Sequence, residues 1–147
     1  MQCYYNLLNQ SATVPGSPDG VAQDFAGLGE VAAANGAAAI GIRCLAGGAL
    51  ATSAARHPVA GGVGRPMADG EEYEEDVRRA AAYRARAGEL GTSGLAELAL
   101  RFALANHNLS SVLAGFSDET QVDEALRVAA LGPLAPEAVT MLTAPGP

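Results

Sequence analysis

Ala37-Ala38-Ala39-Ile40-Gly41-Ile42-Arg43 is the stretch on which the fold turns. It is a short apolar run, preceded by Asn35-Gly36 and followed by the glycine-rich Leu45-Ala46-Gly47-Gly48-Ala49-Leu50. Such a run, bounded by turn residues, suits a strand covered on both faces, as in parallel sheets. Two other segments read as strands: residues 2–8, Gln-Cys-Tyr-Tyr-Asn-Leu-Leu, and residues 110–115, Ser-Ser-Val-Leu-Ala-Gly. The first is aromatic and runs into turn residues.

Helical patterns lie between the strands. Residues 21–35 carry Phe25, Leu28 and Ala32 at helical spacing, and Asn35-Gly36 is a stop. Residues 71–87 open with Glu71, Glu72, Glu74 and Glu75 and then carry Arg78, Arg79, Arg84 and Arg86, which suits the helix dipole. Gly91-Thr92-Ser93 breaks this helix, and Ser93 reads as the N-cap of the next, residues 94–106. Ser117 reads as the cap of a helix carrying Val122, Ala125, Leu126 and Ala129. A last helix is expected from Pro136 to about Leu142, because proline favours the first helical position. Pro15 to Gly20 reads as a loop, and residues 51–70 as a long irregular one. Strands alternating with helices mean parallel pairing and an α/β class. Nothing marks a second domain or an internal repeat, so residues 1–147 read as one domain.

Composition narrows the function classes. Of 147 residues 49% are hydrophobic, too many for a disordered tail. No apolar run is long enough for a membrane helix, and no signal-peptide pattern opens the chain, so a cytoplasmic protein is expected. A net charge of -7 argues against nucleic-acid and anionic membrane partners. All basic residues except histidine are arginines, since the chain has no lysine. The abundant alanine, glycine and arginine read as a nucleotide-composition bias, not as a functional signal. Two cysteines, Cys3 and Cys44, are too few for a disulfide framework or a metal cluster and read as buried free thiols.

Ligands of parallel α/β folds bind where loops leave the C-terminal ends of the strands. The loop after Arg43 carries paired glycines, which let a ligand approach the backbone or simply make a turn. Gly115-Phe116-Ser117 enters a helix start, where unpaired N–H groups and the dipole favour a phosphate. Ser117 caps well with or without one. Gln121 and Glu124 share a helix face and read equally as solvated side chains. Gly27-Leu28-Gly29-Glu30-Val31-Ala32 matches a dinucleotide fingerprint in spelling but follows no strand, so it is set aside. His57 and His107 have no partners at metal spacing, and the run from Glu71 to Asp76 reads as a solvated first turn.

Gln2–Asn9, Ile42–Leu50 and Ser111–Glu124, taken together, resemble the aldo/keto reductases, and Ser93–Leu104 fits the helix before that family's last strand. The resemblance covers nearly the whole chain in order and spacing, with residues 51–70 least matched. Its strongest piece is Gly115 and Ser117 followed at fixed spacing by Gln121 and Glu124. It implies part of a (β/α)8 TIM barrel, the last three parallel strands with their helices. It also implies hydride transfer between NADPH and a carbonyl. Residue by residue, it puts Gln2 at the nicotinamide carboxamide and the segment Arg43, Leu45 and Gly48 along the pyrophosphate. Gly115, Ser117, Gln121 and Glu124 meet the adenosine end, with Ser117 near the ribose 2′-phosphate and Glu124 at the adenine amine.

Departures from the family pattern shape the expectation. The family's catalytic Asp, Tyr, Lys and His fall upstream of the matched segments, so no catalytic residue is assigned here. Tyr4 and Tyr5 lie on a different strand from the family's acid, Ile42 stands where an aromatic ring is common, and Ala125 where Asn is. NADP is the implied cofactor. Asp118 and Glu119, with no Arg beside Ser117, make NAD the alternative. The expected function is the C-terminal, cofactor-binding part of an NAD(P)H-dependent aldehyde or ketone reductase, truncated and inactive alone. The rivals are a non-catalytic nucleotide-binding or assembly module and a truncated reading frame with no function. Three parallel strands leave two open edges, so self-association or pairing with a missing N-terminal half is expected, and a carbonyl substrate only in a complete barrel.

Overall fold

Gln2–Tyr4 (β1), Ile40–Ile42 (β2) and Ser111–Val112 (β3) form one parallel sheet in the order β1-β2-β3. Register sets Gln2 against Ile40, Tyr4 against Ile42, and Ile40 against Ser111. The structure is a computed structural model that describes residues 1–14, 21–51, 57–62, 65–67 and 72–143. The helices are Leu28–Ala34 (α1), Tyr73–Glu89 (α2), Leu95–Leu104 (α3), Glu119–Leu131 (α4) and Pro136–Thr143 (α5), with a 3-10 turn at Ala46–Gly48. The loop expected at 15–20 lies outside the described residues, and so does much of 51–70. Among the described residues no single helix is long and apolar enough to cross a membrane.

Element order and parallel pairing follow the sequence reading, but the strands are shorter. Residues 5–8 leave the expected first strand because Asn6 builds a turn. Its Oδ1 accepts the N–H groups of Leu8 and Asn9, both at 2.9 Å, and the Asn6 and Asn9 backbones pair with each other. A side chain that satisfies nearby backbone donors competes with strand pairing and wins here.

The expected helix over 21–35 is cut to α1. Residues 21–27 give their N–H groups elsewhere: Ala22 to the Met67 carbonyl, Phe25 to Ser11 Oγ, and Gly27 to the Ser11 carbonyl. Ala26 and Gly27 take left-handed backbone conformations, which start the helix late. Gly29 must be glycine, because a Cβ there would stand 2.9 Å from the Ala12 carbonyl oxygen. The glycines of the rejected fingerprint thus seat α1 on residues 11–12.

Helix α3 forms the centre of the core. Leu95, Leu98, Ala99, Phe102 and Ala103 are buried, and α2, α4 and β3 pack around the helix. Tyr5 stacks on Phe102 with centroids 5.3 Å apart, tying the segment after β1 to this centre. Ser93 is not the cap of α3; Gly94 holds that position. Ser93 Oγ instead donates to Glu97 Oε2 at 2.6 Å, and Glu97 reaches back to the Ser93 N–H. Asp76, expected in a solvated first turn, is fully buried and accepts the Met67 N–H at 2.8 Å. That bond ties Met67 to α2.

Glu97 is a buried acid with a complete set of partners. Arg101 stands 3.3 Å from Oε1 and Arg127 3.1 Å from Oε2. Arg101 also donates to the Gly132 and Pro133 carbonyls, so the cluster joins α3, α4 and the turn before α5. Burial pushes the Glu97 carboxyl up. Hydrogen bonds from Ser93, Arg127 and Arg101 overcome this and hold it down at about 2. A carboxyl lowered by folding stabilises the fold above its ordinary value, and that contribution is lost as pH falls from about 4.5 toward 2. We expect stability from urea melts to drop across that window. Glu97→Ala should cost about 1–3 kcal/mol at pH 7 and flatten the acid dependence.

Candidate functional site

An open cleft of about 1130 Å³ receives the ends of all three strands. From β1 come Gln2 and Tyr4, which face the same way because strand side chains alternate. The turn after β2 gives Ile42 to Leu45, Gly47 and Gly48, and the segment after β3 gives Leu113 to Ser117. Helix α4 adds Gln121, Glu124 and Ala125. All eight residues singled out from the sequence, Gln2, Arg43, Leu45, Gly48, Gly115, Ser117, Gln121 and Glu124, line this cleft.

The turn after β2 is wound tightly. Arg43 and Ala46 have φ of 57° and 48°, and Gly47 and Gly48 follow at 66° and 106°. Left-handed backbone at a non-glycine residue costs about 1–2 kcal/mol, so something must hold it. Asn6 does so from beneath: its buried Nδ2 donates to the Arg43 carbonyl at 2.9 Å. Leu50 and Gly48 give their N–H groups to the Leu45 carbonyl, closing the turn. The Arg43 guanidinium then lies 5.3 Å from the centre of the Tyr4 ring and donates to the Arg65 carbonyl.

The start of α4 differs from the sequence reading. Its N-cap is Asp118, not Ser117. The extended backbone of Asp118 brings Oδ1 to 2.9 Å from the Gln121 N–H. The Gln121 side chain folds back, accepting the Ser117 N–H at 2.8 Å and donating to Asp118 Oδ2 at 3.3 Å. Two donors expected to face a ligand are therefore held within the chain. His57, read as isolated, lines the cleft with Nε2 3.5 Å from Asp118 Oδ2. His107, by contrast, is not among the cleft residues.

Gly115 is the informative glycine. A Cβ built on it would meet no protein atom within 4 Å, so no packing inside the chain requires glycine there. The two thiols are buried and free, as read from the sequence. Cys44 lines the cleft, but burial pushes it up to about 11, outweighing the backbone N–H groups that favour its thiolate. It stays protonated at neutral pH and is no nucleophile. Among the described residues no three His, Cys, Asp or Glu side chains gather as metal ligands would.

Sequence reasoning missed Tyr4, His57 and Arg65. Tyr4 was legible, since it lies two residues from Gln2 on one strand and shares its face. His57 and Arg65 sit in the irregular segment, where no periodicity places a side chain.

The family is decided by sequence: the aldo/keto reductase family pattern matches residues 21–145. The chain is an aldo/keto reductase family member. Among solved structures it is similar to aldo-keto reductase AKR11C1 from Bacillus halodurans in its holo form, at 20% identity and a TM-score of 0.59. That match covers 96% of this chain but 39% of the other, and at that identity it bears on the fold alone. No curated protein matches the chain.

Native protein at pH 8 should be alkylated by iodoacetamide at Cys44 at least about a hundredfold more slowly than a free cysteine. Mass spectrometry after timed quenching measures this, and labelling at the free rate would contradict the buried, protonated state.

Proposed function

We propose that this aldo/keto reductase family chain is the C-terminal, cofactor-binding part of a (β/α)8 barrel oxidoreductase. The whole barrel reduces aldehydes or ketones with NAD(P)H, and this part alone has no turnover. The observation that carries the reading is the convergence of Gln2, Arg43–Gly48 and Gly115–Glu124, far apart in sequence, on one cleft at the strand ends. Its volume of about 1130 Å³ lies just above the range of about 300–1,000 Å³ usual for drug-sized ligands, which leaves room for an extended dinucleotide.

The residues present fit such a cofactor. Gln2 offers a carboxamide to pair with the nicotinamide amide. The Arg43 guanidinium, which lines the cleft over Tyr4, offers positive charge to a pyrophosphate. Gly115 leaves room for a ligand to pass close to the backbone. Glu124 offers an acceptor to an exocyclic amine. The bound nicotinamide would supply the hydride, and the chain's own residues bind and orient it. None of the eight supplies the proton, and Cys44 is held protonated far above neutrality. The cytoplasm is the compartment we assign, where this cofactor pool resides and thiols such as Cys3 and Cys44 stay reduced.

The same reading bears on partners. β1 and β3 are both edge strands, and Leu113, Phe116 and Leu126 are exposed beside β3 and along α4. We expect the isolated chain to self-associate, with light scattering showing species larger than one chain. A sharp monomer peak with a cooperative melt would contradict this.

Saturating NADH or NADPH should raise the melting temperature, and the pure chain should show no cofactor-dependent reduction of a test aldehyde. Gly115→Ala should leave the stability of the free protein within about 0.5 kcal/mol and weaken cofactor binding. Failure of both cofactors to shift the melt would remove the reading.

A further inference from the structure

We infer that the α4 end of the cleft selects a cofactor with a free ribose 2′-hydroxyl, so that this site takes NAD in preference to NADP. The inference rests on the proposed function and on the family resemblance, which implies that Ser117 lies near the ribose 2′ position.

Three observations point the same way. First, the donors that would hold a 2′-phosphate are already engaged. The Ser117 N–H is bound by Gln121 Oε1 and the Gln121 N–H by Asp118 Oδ1. A phosphate would have to displace two charge-assisted or amide hydrogen bonds inside the chain. Second, the positive end of the helix is offset by the Asp118 carboxylate and by Glu119 in its first turn. From Gly115 to Leu126 the sequence holds Asp118, Glu119, Asp123 and Glu124 and no arginine or lysine. Arg127, the next cation on α4, pairs with Glu97 and Ser93 on the α3 side.

Third, among the described residues the arginines lining the cleft belong to other segments. Arg43 follows β2, where it lies over Tyr4, and Arg65 lies beyond it and accepts from Arg43 through its carbonyl. The cleft is therefore polarised. Its β2 side attracts the pyrophosphate common to both cofactors, while on its α4 side Glu124 in the lining and Asp118 at the helix cap, with the His57 imidazole 3.5 Å away, set like charge against the extra phosphate of NADP. A ribose diol has the opposite chemistry. It donates hydrogen bonds, which a carboxylate such as Asp118 accepts without a charge penalty.

The test is a titration of the full chain with NADH and with NADPH, followed by calorimetry, at low and at moderate salt. We expect NADH to bind at least about tenfold more tightly. Raising the salt should narrow that gap, because the penalty on NADPH is a screened repulsion. Asp118→Ser keeps an N-capping side chain and removes the charge. It should raise NADPH affinity relative to NADH several-fold, a ratio that a loss of folding alone would not move. Equal binding, or tighter NADPH, overturns the inference and leaves the proposed function standing. Binding of neither cofactor overturns both.

Discussion

Backbone pairing on both sides of Ile40–Ile42 is the constraint on which the rest depends. Because β2 is central, its register with β1 and β3 fixes where the chain leaves the sheet on each side. Gln2 and Tyr4, the turn from Arg43, and the segment from Leu113 all reach one cleft for that reason. The strands are only two or three residues long, so the ladder itself contributes few hydrogen bonds. Side chains make up the difference. Asn6 binds the carbonyl of Arg43, and the buried Asn9 and Ser11 hold the carbonyl of Gln23. Asp76 holds the Met67 N–H. These buried polar groups, each with partners, stitch the loops to the sheet where regular structure is missing.

Much of the architecture was legible in the sequence, and the reasons are specific. The apolar run before Arg43 and the alternation of patterns were enough to give element order and parallel pairing. The position of α3 came from Leu95, Leu98, Ala99 and Phe102 on one stripe, and these residues do fill the core. What misled was local chemistry that tertiary contacts redirect. Phe25 has helical spacing with Leu28, yet its N–H belongs to Ser11 Oγ. Ser93 and Ser117 both look like caps, but Gly94 and Asp118 occupy those positions. A hydroxyl has several nearby partners, and spacing does not say which it takes.

Where the eight site residues lie was more legible than their chemistry. The eight residues implied by the family resemblance line one cleft, because loops at the ends of neighbouring parallel strands converge there. Their electrostatics were not readable in that way. A helix start looks like an anion site until the Asp118 and Gln121 side chains are seen satisfying it from within. Nor does Cys44 reveal from its neighbours in sequence that burial keeps it protonated.

The near-complete burial of α3 also dictates the timing of assembly. Tyr5 needs Phe102 as its stacking partner, and the two stand almost a hundred positions apart. Within this chain the first two strands and α2 are therefore made before the helix they need, and their apolar faces stay unsatisfied until residues 95–104 follow. Contacts so distant in sequence close slowly, which leaves those faces open to wrong pairings while folding proceeds.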